Sequence, residues 1–243
     1  MSLPLFLVDP LPDGDRYRLD GPEGHHAATV QRLRVGEELL LGDGVGGLAV
    51  CRVATVGKGT LDLDVAERRR EPEPAPKITV VQGIAKGERG ELAVQAMTEV
   101  GVDTVVPWSA ARSVVRWRAE RGEKALGRWR AVAREAGKQA RRAWQPVVTG
   151  PMSTTGVAEL ISGADAGYVL HEEAIRPLAT VDPPTDGRIV LVVGPEGGIA
   201  PEEVAPFETA GAVPVRLGAA VLRTSTAGVA ALAVVNARTG RWG

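Results

Sequence analysis

Two short segments near the C-terminus have the residue types of ligand-binding loops. Residues 193–198 read VGPEGG and residues 217–227 read LGAAVLRTSTA, and each follows an apolar, strand-like run. A helix-like segment follows each of them, with Pro201 in the first turn of the earlier helix. Open α/β sheets bind ligands at the carboxyl ends of their strands, and glycine lets a ligand lie directly against the main chain. The sequence therefore predicts one ligand site built from two loops and read mainly by backbone N–H and C=O groups.

Other patterns that could indicate a site do not support one. Residues 42–47 match the dinucleotide-binding pattern G-x-G-x-x-G, but a strand-like run follows them where that pattern requires a helix, so we interpret them as a hairpin turn. His171, Glu172 and Glu173 are adjacent, yet the three histidines of the chain have no spacing typical of a zinc site. We therefore expect no metal. The single cysteine, Cys51, excludes an internal disulfide and is interpreted as a small core residue of a strand.

A larger ordered set of residues resembles a known family. The set adds to the two loops the segment from Lys86 to Glu91, the run TEVGV at 98–102, the segment from Glu135 to Arg142, the run HEE at 171–173, and His26 with Arg32, Leu33 and Arg34. In this order, over nearly the whole chain, it resembles the SPOUT class of S-adenosylmethionine (SAM)-dependent RNA methyltransferases, and most closely the ribosomal RNA small subunit methyltransferase E family. The resemblance implies SAM-dependent methylation of N3 of a uridine in 16S ribosomal RNA.

The resemblance also implies which residues bind the cofactor SAM. These residues are Leu170, His171, Val193, Gly194, Pro195, Glu196, Gly197, Gly198, Leu217, Gly218, Leu222, Thr224, Ser225 and Thr226. It further implies an α/β fold in which a trefoil-knotted, mostly parallel sheet carries helices on both faces, with the chain threading through the loops after Leu170, Val193 and Leu217. General topology rules argue against knots, so the knot is expected from the resemblance alone.

Two ionisable side chains of the loops are candidates for catalysis. N3 of uracil becomes nucleophilic as its proton leaves, and a fixed cation beside the uracil carbonyl oxygens would stabilise the resulting negative charge. Arg223 is the candidate for this role, and its alternative role is to order the loop by donating to carbonyl groups. Glu196 could fix the cofactor loop or accept the proton through water, and the structural role is favoured. No residue identifies itself as the general base.

One segment carries a concentrated positive charge and is the main candidate for RNA binding. Residues 111–145 hold nine Arg and two Lys against three Glu, a net charge of +8, whereas the whole chain has a net charge of −1. A long helix over 122–143 is predicted there, with basic residues clustered beside an apolar stripe. A polyanion contact is the favoured interpretation, and a solvated helix that serves solubility is the alternative. The predicted RNA-binding residues are Lys86, Arg112, Arg128, Lys138 and Arg142, together with His26, Arg32 and Arg34, which rest on the resemblance.

The change of pattern along the chain predicts two domains. Short β-type segments separated by Gly and Asp turns fill the first part of the chain. Residues 67–76, which combine a charge run with three prolines at alternate positions, are typical of a stiff linker. Strands and helices then alternate as in a doubly wound parallel sheet. We expect the methyltransferase domain at 77–243 and, on the resemblance, a small RNA-binding PUA-like β-barrel at 1–70.

The composition and the apolar segments suggest where the protein acts. Hydrophobic residues make up 44% of the chain and charged residues 24%, as in a globular protein. No apolar run reaches the length of a bilayer span and the N-terminus has no signal pattern, so we expect a cytoplasmic enzyme that does not enter a membrane.

The expected partners are small-subunit ribosomal RNA, or the assembled subunit, and a second copy of the chain. The alanine-rich segment 227–237, and the distance in sequence between the basic segment and the loops, predict a homodimer with a shared active site, which the resemblance also implies. Burial of that segment within a monomer is the alternative. Two other functions stay open: a SPOUT enzyme acting on another rRNA position or on tRNA, and a non-catalytic RNA-binding ribosome-assembly protein.

Overall fold

The computed structural model describes residues 3–242 and divides the chain into two compact units. The first unit contains the segment up to Glu73 together with Gly137–Gln145, and the second contains Pro74–Ala136 and the segment from Pro146 onward. The outer ends of the two predicted domains, residues 1, 2 and 243, lie outside the described residues. The first unit thus includes a segment from later in the chain, Gly137–Gln145, which the sequence patterns had not assigned to it.

The first unit is built on a five-stranded sheet. Its strands are β1 (Leu5–Leu7), β2 (Arg16–Leu19), β3 (Glu38–Gly42), β4 (Gly47–Gly57) and β5 (Thr60–Arg70), in the order β1-β3-β4-β5-β2. The β1–β3 pair is parallel and the other pairs are antiparallel. Helix α1 (Gly21–His25) continues into one π-helical turn at His26–Val30. No pair joins β1 to β2 among the described strands, so closure into a barrel stays a prediction.

Two features of this sheet bear on the sequence analysis. The turn between β3 and β4 is held by the Asp43 carboxylate, which accepts hydrogen bonds at 2.8 Å from the N–H groups of Val45 and Gly47. This confirms that residues 42–47 form a hairpin turn. The predicted linker overlaps the sheet, because residues 67–70 belong to β5 and pair with β4. Cys51 is fully buried, and desolvation raises the pKa of its thiol to about 11 although the Arg68 charge opposes the shift.

The second unit is built on a parallel sheet, as predicted. Its strands are β6 (Lys77–Gly83), β7 (Thr104–Trp108), β8 (Val147–Val148), β9 (Ala166–Leu170), β10 (Arg188–Val193) and β11 (Ala212–Val215). The order is β11-β9-β10-β6-β7-β8 and every pair is parallel. Its helices are α2 (Arg89–Glu99), α3 (Ala119–Gln139), α4 (Thr154–Ser162), α5 (Pro201–Thr209) and α6 (Thr224–Thr239), with a 3-10 turn at Leu178–Thr180. The final residues of α3 belong to the first unit.

Helices cover both faces of this parallel sheet. Alternate residues of a strand point to opposite faces, and in β10 Leu191 packs in one core while Val192 packs in the other. The core around Leu191 contains side chains of α2, α3 and α6, and the core around Val192 contains side chains of α4 and α5. A parallel sheet buried on both faces requires continuous apolar strands, which explains the run from 189 to 193. The threading of loops that would define a knot stays a prediction.

The long helix α3 is amphipathic, and its buried face is aromatic at the centre. Trp129 is 3% exposed and meets the ring of Trp117 edge to face at 5.0 Å between centroids. Leu126 and Ala133 are also buried on this face, one turn on either side. Within residues 3–242, no helix is both long and apolar enough to span a bilayer.

Candidate active site

The loops that follow three adjacent strands of the second unit lie at the same edge of the sheet. Strands β11, β9 and β10 are neighbours in the sheet and run in the same direction, so their carboxyl ends lie at the same edge. The loops after them line a cleft of about 690 Å³. The two loops singled out from the sequence are therefore brought together, and the loop after Leu170 joins them.

Most of the predicted cofactor residues line this cleft. They are Leu170, His171, Val193, Gly194, Pro195, Glu196, Gly198, Leu217, Gly218, Leu222 and Thr224, and the candidate catalytic residue Arg223 lines it as well.

Three predicted cofactor residues do not line the cleft. Gly197 packs against the loop after β7, since a Cβ built on it would lie 3.0 Å from Cβ of Arg112. Ser225 is buried in the first turn of α6. The Thr226 hydroxyl donates to the carbonyl oxygen of Arg223 at 3.1 Å, within the first turn of the same helix. Ser225 thus supports the start of α6 from within the protein, whereas Gly197 and Thr226 are exposed but lie outside the lining of the cleft.

Gly194 and Gly218 both line the cleft, but a side chain would meet different surroundings at the two positions. A Cβ on Gly218 would have no heavy atom within 4 Å, so the missing side chain leaves open space on the cleft side. A Cβ on Gly194 would lie 2.8 Å from Cγ1 of Ile199 and 3.1 Å from the carbonyl carbon of Gly198. Gly218 thus fits the predicted role of leaving room for a ligand, whereas Gly194 is required by the packing of its own turn.

Glu196 fixes the turn that contains it. Its Oε1 accepts hydrogen bonds at 2.9 Å from the Lys86 N–H and from Nη1 of Arg89. Partial desolvation would raise the pKa of the Glu196 carboxyl, but hydrogen bonds from the backbone of Glu196 and Lys86 and from Arg89 outweigh it, so the pKa lies below its ordinary value. A carboxylate stabilised in this way is a weak proton acceptor. The geometry therefore supports the structural role, and a catalytic role for Glu196 stays a prediction without geometric support.

Arg223 has a fixed backbone and an uncommitted side chain. Its carbonyl oxygen accepts hydrogen bonds at 2.9 Å from the N–H groups of Thr226 and Ala227, which places the residue at the N-terminal boundary of α6. The guanidinium is exposed and makes no hydrogen bond or ion pair within residues 3–242. It does not order the loop by donating to carbonyl groups, so it is available to a bound substrate.

The sequence analysis missed several residues of the cleft. Arg89, the first residue of α2, lines it beside Glu196, and Arg216 and Glu172 also line it. Gln82 lies at the carboxyl end of β6, is fully buried and donates to the Thr224 hydroxyl. An amide side chain within the largely apolar run from 78 to 84 was the available signal for Gln82.

The predicted RNA-binding residues of the first unit lie in different environments. Arg32 and Arg34 are exposed in the loop after the π-helical turn, where Arg32 has a positive φ of 58°. His26 is half-buried, and its ring meets Phe6 edge to face at 5.8 Å between centroids. Arg142 is half-buried near the end of the segment that joins this unit.

The position of Lys138, also in the first unit, does not fit its predicted role in RNA binding. Its side chain is 7% exposed, and its Nζ lies 3.0 Å from Oε1 of Glu23, whose side chain is 14% exposed. A buried ammonium engaged by a carboxylate is not presented to RNA phosphates. The helical spacing of the charges gave no information about Glu23, because that residue is 115 positions away.

The basic residues of the second unit are partly engaged as well. Nε of Arg128 donates to Glu91 at 2.8 Å, and Nη1 of Arg112 donates to the Gly197 carbonyl oxygen at 3.2 Å. Lys86 is exposed. Arg121 and Lys124, on the first turns of α3, are exposed and form no ion pair within the described part of the chain. The two of them are the clearest candidates on this helix for contact with a polyanion.

Comparison with known proteins agrees with this architecture. A family model described as an RNA methyltransferase domain matches residues 71–236, and one described as an RNA methyltransferase PUA domain matches residues 19–66. Ribosomal RNA small subunit methyltransferase E from Mycobacterium bovis is 50% identical over 243 residues, covering 98% of this chain and 93% of that protein. The chain belongs to the ribosomal RNA small subunit methyltransferase E family. The Bacillus subtilis member is 30% identical over 231 residues, covering 92% of this chain and 90% of that protein.

Two solved methyltransferase structures share the fold. The ribosomal RNA small subunit methyltransferase E of Neisseria gonorrhoeae, bound to SAM, superposes with a TM-score of 0.83 at 27% identity, over 97% of this chain and 98% of that one. A methyltransferase structure from Legionella pneumophila, also with bound SAM, gives a TM-score of 0.84 at 27% identity, over 98% of each chain. The predicted family and fold class, including a PUA domain near the N-terminus, are confirmed.

Proposed function

We propose that this protein transfers a methyl group from SAM to N3 of a uridine in the 16S ribosomal RNA of the small subunit. The observation that carries the proposal is the cleft formed by the loops after β9, β10 and β11. It occurs in a fold whose relatives from Neisseria gonorrhoeae and Legionella pneumophila were crystallised with SAM. The family supports RNA as the substrate class.

The cleft suits a cofactor of this size and mixed polarity. Its volume of about 690 Å³ is in the range of small-molecule sites, about 300–1,000 Å³. Apolar side chains such as Leu217 and Leu222 provide surface for an aromatic ring, and the missing side chain of Gly218 leaves main chain accessible. Arg216 and Glu172 add charges of both signs to the lining. These residues would hold SAM.

Bound SAM supplies a methyl group that is already activated by the adjacent sulfonium, so the protein has to supply position and electrostatics. Arg223 is the residue that supplies a positive charge. As the N3 proton of uracil passes to solvent water, negative charge spreads to the carbonyl oxygens of the base, and the unpaired guanidinium stabilises it. Glu196 does not take this proton in our proposal. It holds the turn at 194–198 through Lys86 and Arg89.

Each unit contributes exposed cations for RNA. Arg121 and Lys124 lie at the start of α3 in the second unit, and Arg32 and Arg34 lie in a loop of the first unit. Contacts of Lys and Arg with phosphates supply most of the sequence-independent affinity for nucleic acid. The match of residues 19–66 to a PUA domain of RNA methyltransferases supports the assignment for the first unit.

A homodimer is part of the proposal. One face of α6 is buried within the second unit, where Ala231 and Leu232 pack in the core with α2, so this part of the alanine-rich segment needs no partner. A half-exposed stripe of small apolar residues remains on α6 at Val229, Ala230, Ala233 and Val234. Val221, which lines the cleft, is 77% exposed. Sedimentation at micromolar concentration tests the dimer, and a fully active monomer would contradict it.

The function is tested by binding and by the distribution of transferred label. Calorimetry of the purified protein with SAM should give saturable binding at one site per chain. With methyl-labelled SAM and either total RNA or assembled small subunits from a strain that lacks the gene, the label should enter 16S rRNA. Label in tRNA or in large-subunit rRNA would favour another SPOUT activity, and a folded protein that binds RNA but not SAM would favour a non-catalytic assembly protein.

A further inference from the structure

The Thr224 hydroxyl joins the two cofactor loops. Its Oγ1 donates to the Gly194 carbonyl oxygen at 2.7 Å and accepts from Nε2 of Gln82 at 2.8 Å. We propose that Gln82 is a positioning residue that acts through Thr224 and holds the turn at 194–198 and the loop at 217–224 in the arrangement that binds SAM. The inference rests on the proposed cofactor and adds Gln82, which lies outside the cleft lining and acts through Thr224, a residue already predicted to bind SAM.

The directions of the two hydrogen bonds are determined by their partners. A hydroxyl has one hydrogen, and the Gly194 carbonyl can only accept, so Thr224 must donate to Gly194 and accept from Gln82. Nε2 of Gln82 also donates to the Gly83 carbonyl oxygen at 3.3 Å. A reversed amide would place the Gln82 oxygen against that carbonyl oxygen. Gln82 therefore donates to Thr224, and Thr224 donates to the Gly194 carbonyl oxygen.

The position of Gln82 in the sheet explains why this residue can reach both loops. It is paired with Val193 of β10, the residue immediately before Gly194, on the neighbouring strand. On this face it lies near helix α6, since a Cβ built on Gly228 would be 3.6 Å from its Oε1. The Gln82 side chain thus joins the C-terminal end of β6 to the first turn of α6, and Thr224 extends this link to the turn after β10.

The burial of Gln82 indicates that its polarity has a purpose beyond filling the core. The side chain is fully buried, and its Oε1 has no hydrogen-bond partner among the described residues. An unpaired buried acceptor is costly, and an apolar residue of similar shape would avoid that cost. An apolar residue would lack the amide N–H groups of Gln82, and one of these N–H groups donates to the Thr224 hydroxyl.

Binding of SAM to matched variants tests the inference. Thr224→Val removes the hydroxyl with little change of shape, and we expect the Kd for SAM to rise about tenfold, because both loops lose a hydrogen-bonded partner. Thr224→Ser keeps the hydroxyl and should bind SAM like the wild-type protein. Gln82→Leu should raise the Kd about threefold to tenfold, because Thr224 loses the donor that orients its hydroxyl.

The control for these variants is Thr239→Val. Thr239 is buried on the same helix to a similar degree as Thr224, 8% against 7% exposed, and its hydroxyl donates to the Val235 carbonyl oxygen within α6. Its loss should lower stability without changing the Kd for SAM. A merely structural role of the Thr224 hydroxyl would make the two Thr→Val variants alike in SAM binding.

Amide hydrogen exchange of the cofactor-free protein is a second readout. In Thr224→Val and Gln82→Leu, exchange at the backbone N–H groups of residues 196–200 should become faster than in the wild-type protein and in Thr239→Val. Unchanged Kd values together with unchanged exchange would overturn the inference. If the wild-type protein does not bind SAM, the proposed function is wrong. The exchange rates alone would then test whether Gln82 and Thr224 hold the two loops together.

Discussion

Two exposed cations on α3 should carry RNA affinity that a third, buried cation does not. Arg121 and Lys124 are exposed and form no ion pair within the described residues, whereas Lys138 is 7% exposed and paired with Glu23. The test is the double variant Arg121→Gln/Lys124→Gln against the single variant Lys138→Met. The first should change RNA binding, and the second should change stability.

The size of each effect follows from the environment of the charge. Each phosphate contact contributes about 0.7 to 0.9 to the slope of log K against log salt, so losing two contacts should flatten the slope by about 1.4 to 1.8. Removing one partner of a buried ion pair costs about 3–5 kcal/mol, and we expect the lower end for Lys138 because Glu23 is 14% exposed. SAM binding should be unchanged in the double variant.

Fluorescence anisotropy with a labelled rRNA fragment over a series of salt concentrations measures the slope, and urea denaturation measures the free energy of unfolding. The double variant should keep its unfolding free energy. An unchanged salt slope in the double variant, or a flattened slope with unchanged stability in Lys138→Met, would refute the division of the helix into an RNA-facing part and a structural part.

Three further predictions concern the cleft. Gly218→Val should abolish SAM binding in calorimetry with little change in thermal stability, while Gly150→Val, at a position that is equally open but outside the cleft, should bind normally. Arg223→Ala should lower kcat for methyl transfer about 100-fold or more with little change in the Kd for SAM, and an unchanged kcat would remove its catalytic role. The pKa of the Glu196 carboxyl is lowered from its ordinary value of 4.5, so the stabilisation of the turn by the carboxylate is fully present above pH 4.5. This stabilisation is lost as the pH falls through the lowered pKa. Glu196→Gln should therefore lose less stability below pH 4.5 than the wild-type protein, as measured by thermal denaturation over a pH series.

The fold was largely predictable because its determinants are local. The apolar run from 189 to 193 predicted a buried parallel strand, and the turn GPEGG with Pro201 after it predicted the strand–turn–helix unit that the structure contains. Parallel pairing then explains why the loops meet at one edge. Strand β2, with the sequence RYRL, could not be predicted in this way, because the charged residues on its exposed face leave almost no apolar pattern.

The parts that could not be predicted depend on contacts between distant residues. Sequence patterns place Lys138 on a basic helix but cannot show that Glu23 lies beside it. They identify Gly194 and Gly218 equally as loop glycines, although one is required by packing against Ile199 and the other faces open space. The hydrogen bond from Gln82 to Thr224 joins residues 142 positions apart, and only the tertiary structure places them together.

The position of the transferred methyl group tests the central claim most directly. Assembled small subunits from a strain that lacks the gene, and rRNA extracted from them, should each be incubated with the purified protein and SAM. The rRNA should then be digested and mapped by mass spectrometry, with reverse-transcription stops as an independent sign of a blocked Watson–Crick face. The account predicts one methyl group, on N3 of a single uridine in 16S rRNA, that is absent when the Arg223→Ala variant is used at the same enzyme concentration and incubation time. Methylation of a ribose, of another base or of no nucleotide by protein that binds SAM would contradict it.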